Sequence, residues 1–280
     1  MKAIRYLSAM MVAMWAVAAQ PAAVQFSASG MNAAAIQASV DAFRAVLGTL
    51  NPNVVGSLGS GRREINWDGV PDNFSAPNAF PGNFFNTNSP RGVVLGTPGT
   101  GFQLSADSSN PTSTPTQFDN IDPSYSGLFE PFSQQRLFTA LGSTTTDVSF
   151  FVPGSMLPAF TSGFGAVFTD VDSANVTSLE FFDQSNNSLG TFFVPSATGN
   201  ETFSFLGVEF NAGEHVSRVR ITSGNQLLVA GNTANDLVVM DDFIFAEPLA
   251  VPEPTVLMLI LTALAGLGVR HRARPTALGS

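Results

Sequence analysis

Short apolar runs separated by turn residues recur from residue 101 to residue 246. They are rich in Phe, Val, Ile and Thr, and several alternate apolar with polar residues, as in Arg218-Val219-Arg220-Ile221. Such alternation is typical of strands with one buried face, and the regular spacing is typical of stacked antiparallel sheets. The sequence therefore predicts an all-β fold, namely an antiparallel, jelly-roll-like β-sandwich. The predicted strands are Gly101–Ser105, Arg136–Leu141, Asp147–Val152, Gly163–Thr169, Ser178–Phe182, Gly190–Val194, Glu201–Leu206, Val216–Thr222 and Leu237–Ala246.

One amphipathic helix precedes these strands. Apolar residues recur at helical spacing from Asn32 to Leu50, which predicts a helix with one apolar face. We interpret it as a helix that packs on the sandwich. The alternative is a membrane-surface or partner helix, but its polar face carries only Arg44 as a positive charge. Residues 20–60 are thus predicted to form the helix and a linker, and residues 61–248 the β-sandwich domain.

The interior of the chain, from residue 20 to residue 254, is acidic and lacks both lysine and cysteine. It contains seven arginines and all 21 acidic residues, which gives a net charge of −14. This charge argues against nucleic-acid partners, because they require a basic patch. The absence of cysteine excludes disulfides, thiolate metal sites and cysteine nucleophiles. Stability must therefore come from packing, to which the 25 phenylalanines contribute.

The first residues have the composition of a secretory signal peptide. Lys2 and Arg5 precede an apolar and small-residue run that ends at Ala19, where the small residues offer a cleavage site. We interpret residues 1–19 as a signal peptide that directs export. The alternative is a permanent N-terminal anchor helix, which is disfavoured because the run is short for a span of about 20 residues.

The C-terminal segment has three parts in order: a short polar motif, an uncharged apolar run at about 255–269, and an arginine cluster. The apolar run is close to the lower limit of about 17 residues for a transmembrane helix. Positive residues stay on the cytoplasmic side, so the cluster would place the bulk of the chain outside the inner membrane. A tail-anchored or simple single-pass protein is the alternative. The residues of the motif and cluster are Val251, Pro252, Glu253, Pro254, Arg270, Arg272 and Arg274.

Residues 251–274 resemble the PEP-CTERM sorting signal, in which the same three parts occur in the same order. The resemblance implies that a membrane protease of the exosortase type is a partner that recognises and processes the motif. It also implies exopolysaccharide as a second partner, because substrates of this kind in Gram-negative bacteria tend to be exopolysaccharide-associated. We therefore expect export, a transient anchor in the inner membrane, and delivery to the cell envelope or extracellular matrix.

Two adjacent acidic residues, Asp241 and Asp242, interrupt the last predicted strand. Either Asp241 faces the core, or the alternation changes phase at the pair, which indicates a β-bulge. A carboxylate that faces the core must be ion-paired, hydrogen-bonded or bound to a metal. Any molecular function should therefore first be sought at this strand.

An Asp-Asp pair in the last strand of a β domain resembles the terminal strand of galactose-binding-like jelly rolls, including carbohydrate-binding modules. The resemblance implies a structural calcium. Calcium takes about six to eight oxygen ligands, and both the loop Asn66–Asp72 and the segment Asp170-Val171-Asp172 offer some. The alternatives are solvated acidic turns, or pairing of the Asp-Asp residues with Arg62, Arg63, Arg218 or Arg220. The predicted calcium ligands are Asp68, Asp72, Asp241 and Asp242.

Several segments, among them Arg63–Gly69 and Phe168–Asp172, resemble a group of uncharacterised exported bacterial proteins. The resemblance implies a common fold and names no activity.

Few residues suggest catalysis. His215 is a lone histidine before a strand, and no serine occupies a Gly-x-Ser-x-Gly elbow. Glu64, Asp68 and Asp72 are the acidic residues on which a glycosidase hypothesis would rest. Trp67 is a candidate for stacking on a sugar ring, or else a core residue. We therefore predict a non-catalytic, exported envelope or matrix protein; the alternatives are a calcium-stabilised glycan-binding module and, less favoured, a glycoside hydrolase.

Overall fold

The computed structural model describes residues 22–233 and 236–251. The predicted signal peptide at 1–19 and the predicted membrane helix at about 255–269 lie outside the described residues, as do the rest of the sorting motif after Val251 and the arginine cluster. Within the described ranges, no helix is long and apolar enough to cross a membrane.

Strands dominate the described part of the chain, accompanied by one long helix and short helical turns. The strands are β1 (Ala23–Gly30), β2 (Arg62–Ile65), β3 (Val93–Gly96), β4 (Gly101–Leu104), β5 (Phe138–Leu141), β6 (Thr145–Phe150), β7 (Ala159–Phe160), β8 (Gly163–Thr169), β9 (Ser178–Phe182), β10 (Ser188–Phe193), β11 (Phe203–Phe210), β12 (Arg218–Thr222), β13 (Val239–Ala246) and β14 (Leu249–Ala250). The helical segments are α1 (Ala33–Leu47), α2 (Phe84–Thr87) and two 3₁₀ turns at Asp72–Phe74 and Tyr125–Gly127.

The strands form two large antiparallel sheets. The first has the order β1-β11-β8-β13-β5-β4, and β2 also pairs with β13. The second has the order β10-β9-β12-β6-β3, while β7 and β14 pair with each other. All the ladders between these strands are antiparallel. The prediction of a mostly β fold built from antiparallel sheets is therefore confirmed.

One apolar core contains side chains from both sheets. Phe150 of the second sheet contacts Phe164 and Phe245 of the first, with ring centroids 6.3 and 5.7 Å apart. The alternation in β12 determines which face of the second sheet is buried. Val219 and Ile221 are fully buried, while the arginines between and beside them are not. The two sheets therefore pack face to face through alternate apolar positions.

Helix α1 covers the outer face of the first sheet. Its N terminus is capped by Asn32, whose side chain accepts a hydrogen bond from the amide of Ala35 over 3.1 Å. It ends at Gly48, which adopts a φ of 92°. Its apolar face forms a second buried cluster with residues of β8, β11 and β13. The helix thus packs on a sheet through its buried residues Ile36, Val40, Phe43 and Leu47.

The segment 20–60, predicted to be helix and linker, also contains a strand. All eight residues of β1 pair with β11 at the edge of the first sheet. Small and polar residues make up most of β1, so tertiary pairing rather than local propensity places it there. Strands β2 and β3 likewise lie where the sequence indicates no particular strand. Conversely, Arg136 and Leu137 lie outside the strand that they were expected to begin, because they belong to the loop before β5.

Candidate functional site

A β-bulge at Asp241 and Asp242 interrupts the pairing of β13 with β8. Met240 pairs with Phe168 and Phe243 pairs with Ala166, so that two residues of β13 stand opposite one residue of β8. The bulge that the phase change indicates is therefore present. Both acidic residues are buried, with 1% and 3% of their surface exposed.

The loop before β5 supplies hydrogen-bond donors to this bulge. The amides of Phe132 and Ser133 donate to Oδ2 of Asp241 over 2.6 and 3.1 Å. The Ser133 hydroxyl lies 2.7 Å from Oδ1 of Asp242 and 3.2 Å from Oδ1 of Asp241, and it can donate to one of them at a time. The two carboxyl groups therefore fasten this loop to the last long strand.

Alternating charges continue from Asp242 toward helix α1. Arg44 donates to both carboxylate oxygens of Glu64, over 3.1 and 3.0 Å, and its Nη2 atom lies 3.3 Å from Oδ2 of Asp242. Arg62 also donates to Glu64, over 2.6 Å. The bidentate geometry fixes the guanidinium of Arg44 between the two acids. This network ties the helix to the bulge.

Asp242 of the bulge is ion-paired with Arg44, which is not one of the four arginines that the sequence suggests. Arg44 stands 198 positions before Asp242 in the chain, and no spacing pattern connects the two. The four suggested arginines bind other acids: Arg62 binds Glu64, Arg63 binds Glu247, and Arg218 and Arg220 bind Asp147.

Burial raises the pKa of both carboxyl groups in the bulge. At Asp241 desolvation is the largest cause, and the neighbouring charge of Asp242 adds to it, so that the pKa lies well above its usual range. Burial raises the pKa of Asp242 to about 6, against the opposing effects of the Ser133 hydrogen bond and the charge of Arg44. Two buried carboxyl groups this close titrate as a coupled pair, so the bulge retains a proton more readily than exposed aspartates do.

The predicted calcium ligands lie in two different environments. Asp68 accepts a hydrogen bond from the amide of Arg136 over 3.3 Å, in the same loop that binds the bulge, and burial raises its pKa. Asp72 instead forms an ion pair with the guanidinium of Arg136, at 2.5 Å. The loop before β5 therefore binds Asp68 through its backbone and Asp72 through the Arg136 side chain.

The carboxylate oxygens of the bulge lie close to protein donors. Oδ2 of Asp241 accepts from two amides and Oδ2 of Asp242 lies near the Arg44 guanidinium, while the two Oδ1 atoms share the one Ser133 hydroxyl. A calcium ion bound here would take the place of Ser133 and Arg44 at these oxygens. The assignment of Asp68, Asp72, Asp241 and Asp242 as calcium ligands stays a prediction.

Trp67 lies in the core beside the bulge. Only 1% of its surface is exposed, and its ring stacks on Phe138 with the centroids 4.3 Å apart. Its indole N–H donates to the backbone carbonyl of Asp241 over 2.8 Å. Its ring is therefore almost entirely covered by protein, although Trp67 also borders the cavity beside helix α2. The geometry favours the alternative that Trp67 is a core residue, which contacts the bulge through its indole N–H.

A cavity of about 340 Å³ opens between the segment after β2 and helix α2. Aromatic residues that include Phe74 and Phe84 line it together with polar residues that include Asn88, Ser89 and Arg91. Burial lowers the pKa of Arg91 to about 10, and the nearby charge of a second arginine adds to the effect. Apolar walls with a few polar groups are typical of small-molecule sites. Nothing in the sequence pattern indicates this cavity.

No protein-family model and no curated protein matches this chain. Among solved structures, the enzymatically active domain of bacteriophage CBA120 tailspike protein 4 is similar with a TM-score of 0.24 and 13% sequence identity. The similarity covers 64% of this chain and 21% of that chain, so this chain spans about a fifth of the tailspike chain. The match assigns neither a fold nor an activity.

Proposed function

We propose that this chain is an exported, non-catalytic protein of the cell envelope or extracellular matrix, sorted by its PEP-CTERM-like C-terminal signal. The supporting observation is the position of the domain between the two predicted signals. Strand β1 begins at Ala23, just beyond the predicted signal peptide, and β14 ends at Ala250, directly before the motif. Val251, the first residue of the motif, donates its amide to the carbonyl of Pro158 over 3.2 Å. The motif thus follows directly after the last strand of the antiparallel β domain.

Apolar side chains surround the point at which the chain reaches the motif. Met156 and Leu157 have 71% and 62% of their surface exposed, and Leu157 lines a cavity of about 710 Å³ together with Val251. Val55, with 70% exposed, lies against Gly154 of the same loop. Grouped exposed apolar residues mark interaction surfaces. In the proposed anchored stage, this end of the domain lies against the inner membrane.

The proposal implies two partners, a membrane protease of the exosortase type and the exopolysaccharide of the matrix. Its test is fractionation of cells that produce the full chain together with such a protease. Because the motif is the recognition element, replacement of Pro252, Glu253 and Pro254 by alanine should leave most of the protein in the inner membrane. The wild-type protein should instead reach the envelope or the medium.

A Glu130→Ala variant is the matched control, because this glutamate is exposed and distant in sequence from the motif. It should be released like the wild type. Equal release of the motif variant and the wild type would overturn the sorting proposal.

A glycan-binding role is the second candidate, and the cavity beside α2 favours it because its lining combines aromatic and amide groups. We expect immobilised exopolysaccharide to retain the full chain. The variant Asn88→Ala should weaken retention, because this exposed amide lines the cavity. Asn83→Ala is the control, since Asn83 is exposed and makes no side-chain cap bond at the start of the same helix. The same retention measured with a calcium chelator tests whether binding depends on calcium. If the wild type is retained neither with nor without the chelator, this candidate is excluded.

A further inference from the structure

A second acidic cluster, separate from the bulge, lies where strands β8 and β13 diverge. Asp170 and Asp172 directly follow β8, and Asp236 precedes β13. Thr169 pairs with Val239 in the antiparallel ladder between these strands. The amide of Ser173, the residue after Asp172, donates to Oδ1 of Asp236. The three acidic residues therefore lie at the same end of the first sheet.

Two of these carboxyl groups are buried and incompletely satisfied. Asp170 has 3% and Asp236 has 1% of its surface exposed, and neither Oδ1 of Asp170 nor Oδ2 of Asp236 has a hydrogen-bond partner in the described part of the chain. The amide of Ser173 donates to the other oxygen of Asp236 over 3.1 Å, and the amide of Gly199 donates to Asp172 over 3.2 Å. A buried carboxylate without a partner is costly. The bulge, in contrast, has donors from the amides of Phe132 and Ser133, the Ser133 hydroxyl and Arg44.

No basic side chain balances this cluster. The ion pairs found in residues 22–233 and 236–251 involve none of the three acids. Burial raises the pKa of Asp170 to about 7, and the negative charges of Asp172 and Asp236 add to the rise. Burial also raises the pKa of Asp236, and Asp172 contributes again. The cluster therefore lacks a positive charge that a bound cation would supply.

We propose that Asp170, Asp172 and Asp236 bind one calcium ion. An all-oxygen donor set selects a hard cation, and calcium accepts irregular geometry more readily than magnesium does. Backbone carbonyls and water complete a shell of about six to eight oxygens. This site is independent of the sorting proposal, so either one can fail alone.

The test is calcium titration of the full chain, purified in detergent and stripped with a chelator, by calorimetry and thermal unfolding. We expect one calcium ion per chain and a rise in Tm of roughly 5 to 10 °C when calcium is at about a hundred times its Kd. The double variant Asp170→Asn/Asp236→Asn should bind more weakly by at least about tenfold. In chelator it should melt higher than the wild type, because two buried carboxylates that each have an oxygen without a donor are gone. A misfolded variant would melt lower than the wild type. A higher Tm of the double variant in chelator therefore shows that its weaker binding does not come from misfolding.

Asp41→Asn is the control variant, because this acid is largely exposed on helix α1. It should bind calcium like the wild type. A wild-type protein that shows no calcium response would overturn the proposal, as would a double variant that responds fully. Loss of the response in Asp68→Asn instead would place the ion near the bulge and would equally contradict the assignment.

Discussion

Replacement of Glu247 by alanine is expected to lower the free energy of unfolding by about 3–5 kcal/mol, which corresponds to a fall in Tm of roughly 10 °C. The side chains of Glu247 and Arg63 have 1% and 0% of their surface exposed. Arg63 donates to both carboxylate oxygens, over 2.7 and 2.8 Å. Removal of the carboxylate leaves the guanidinium buried without its counter-charge. This uncompensated charge, and not the lost pair itself, accounts for most of the expected loss.

The Glu247 carboxylate also anchors a loop. It accepts hydrogen bonds from the side chain of Asn51 over 2.8 Å and from the amide of Leu58 over 3.1 Å. Chemical denaturation monitored by circular dichroism measures the loss, and the exposed Glu130→Ala variant is the control. A loss below about 1 kcal/mol, as for a surface ion pair, would contradict this account of the pair.

Replacement of Phe43 by alanine is expected to cost about 3–5 kcal/mol, because it leaves a cavity between helix α1 and the first sheet. The ring is fully buried and contacts Phe26 and Phe205, with centroids 5.6 and 5.8 Å away. Gly165 and Gly207 pair across strands β8 and β11 beneath it. A Cβ atom added at Gly207 would lie 2.7 Å from Cγ of Phe43, so the helix can approach the sheet only over glycine.

A double-mutant cycle tests this packing. Gly207→Ala alone should destabilise the protein by about 1–3 kcal/mol through overpacking. It should cost less in the Phe43→Ala background, where the clashing ring is absent. Val46→Ala is the control on the same helix, because Val46 is 46% exposed. Strictly additive losses in the cycle would show that the ring and the glycine pair are not coupled.

Strands with clear alternation could be located from the sequence. The bounds of β8 and β9 agree with the predicted strands residue for residue, because β8 alternates Phe164, Ala166 and Phe168 on one face and turn residues flank both strands. Strand β1 was not predictable in the same way, since small and polar residues dominate it and its pairing comes from β11, about 180 positions away. Local patterns do not contain such long-range pairing.

The candidate sites, like the strands, could be predicted from the sequence only in part. The change of phase at Asp241 and Asp242 predicts a bulge, and the structure contains it. The groups that satisfy the bulge could not be predicted, because Ser133 and Arg44 come from a distant loop and from the helix. The acidic cluster near Asp170 depends likewise on a long-range contact, the hydrogen bond from the amide of Ser173 to Asp236. Sequence alone identifies acidic residues but not which of them lack partners.

Mass spectrometry of the mature protein recovered from the envelope or medium tests the central claim of export and sorting most directly. The sorting proposal predicts a chain that begins near residue 20 and has lost the apolar run and the arginine cluster, so that its mass is below the 29.4 kDa of the full chain. A full-length chain in the cytoplasm, with both ends intact, would contradict the proposal.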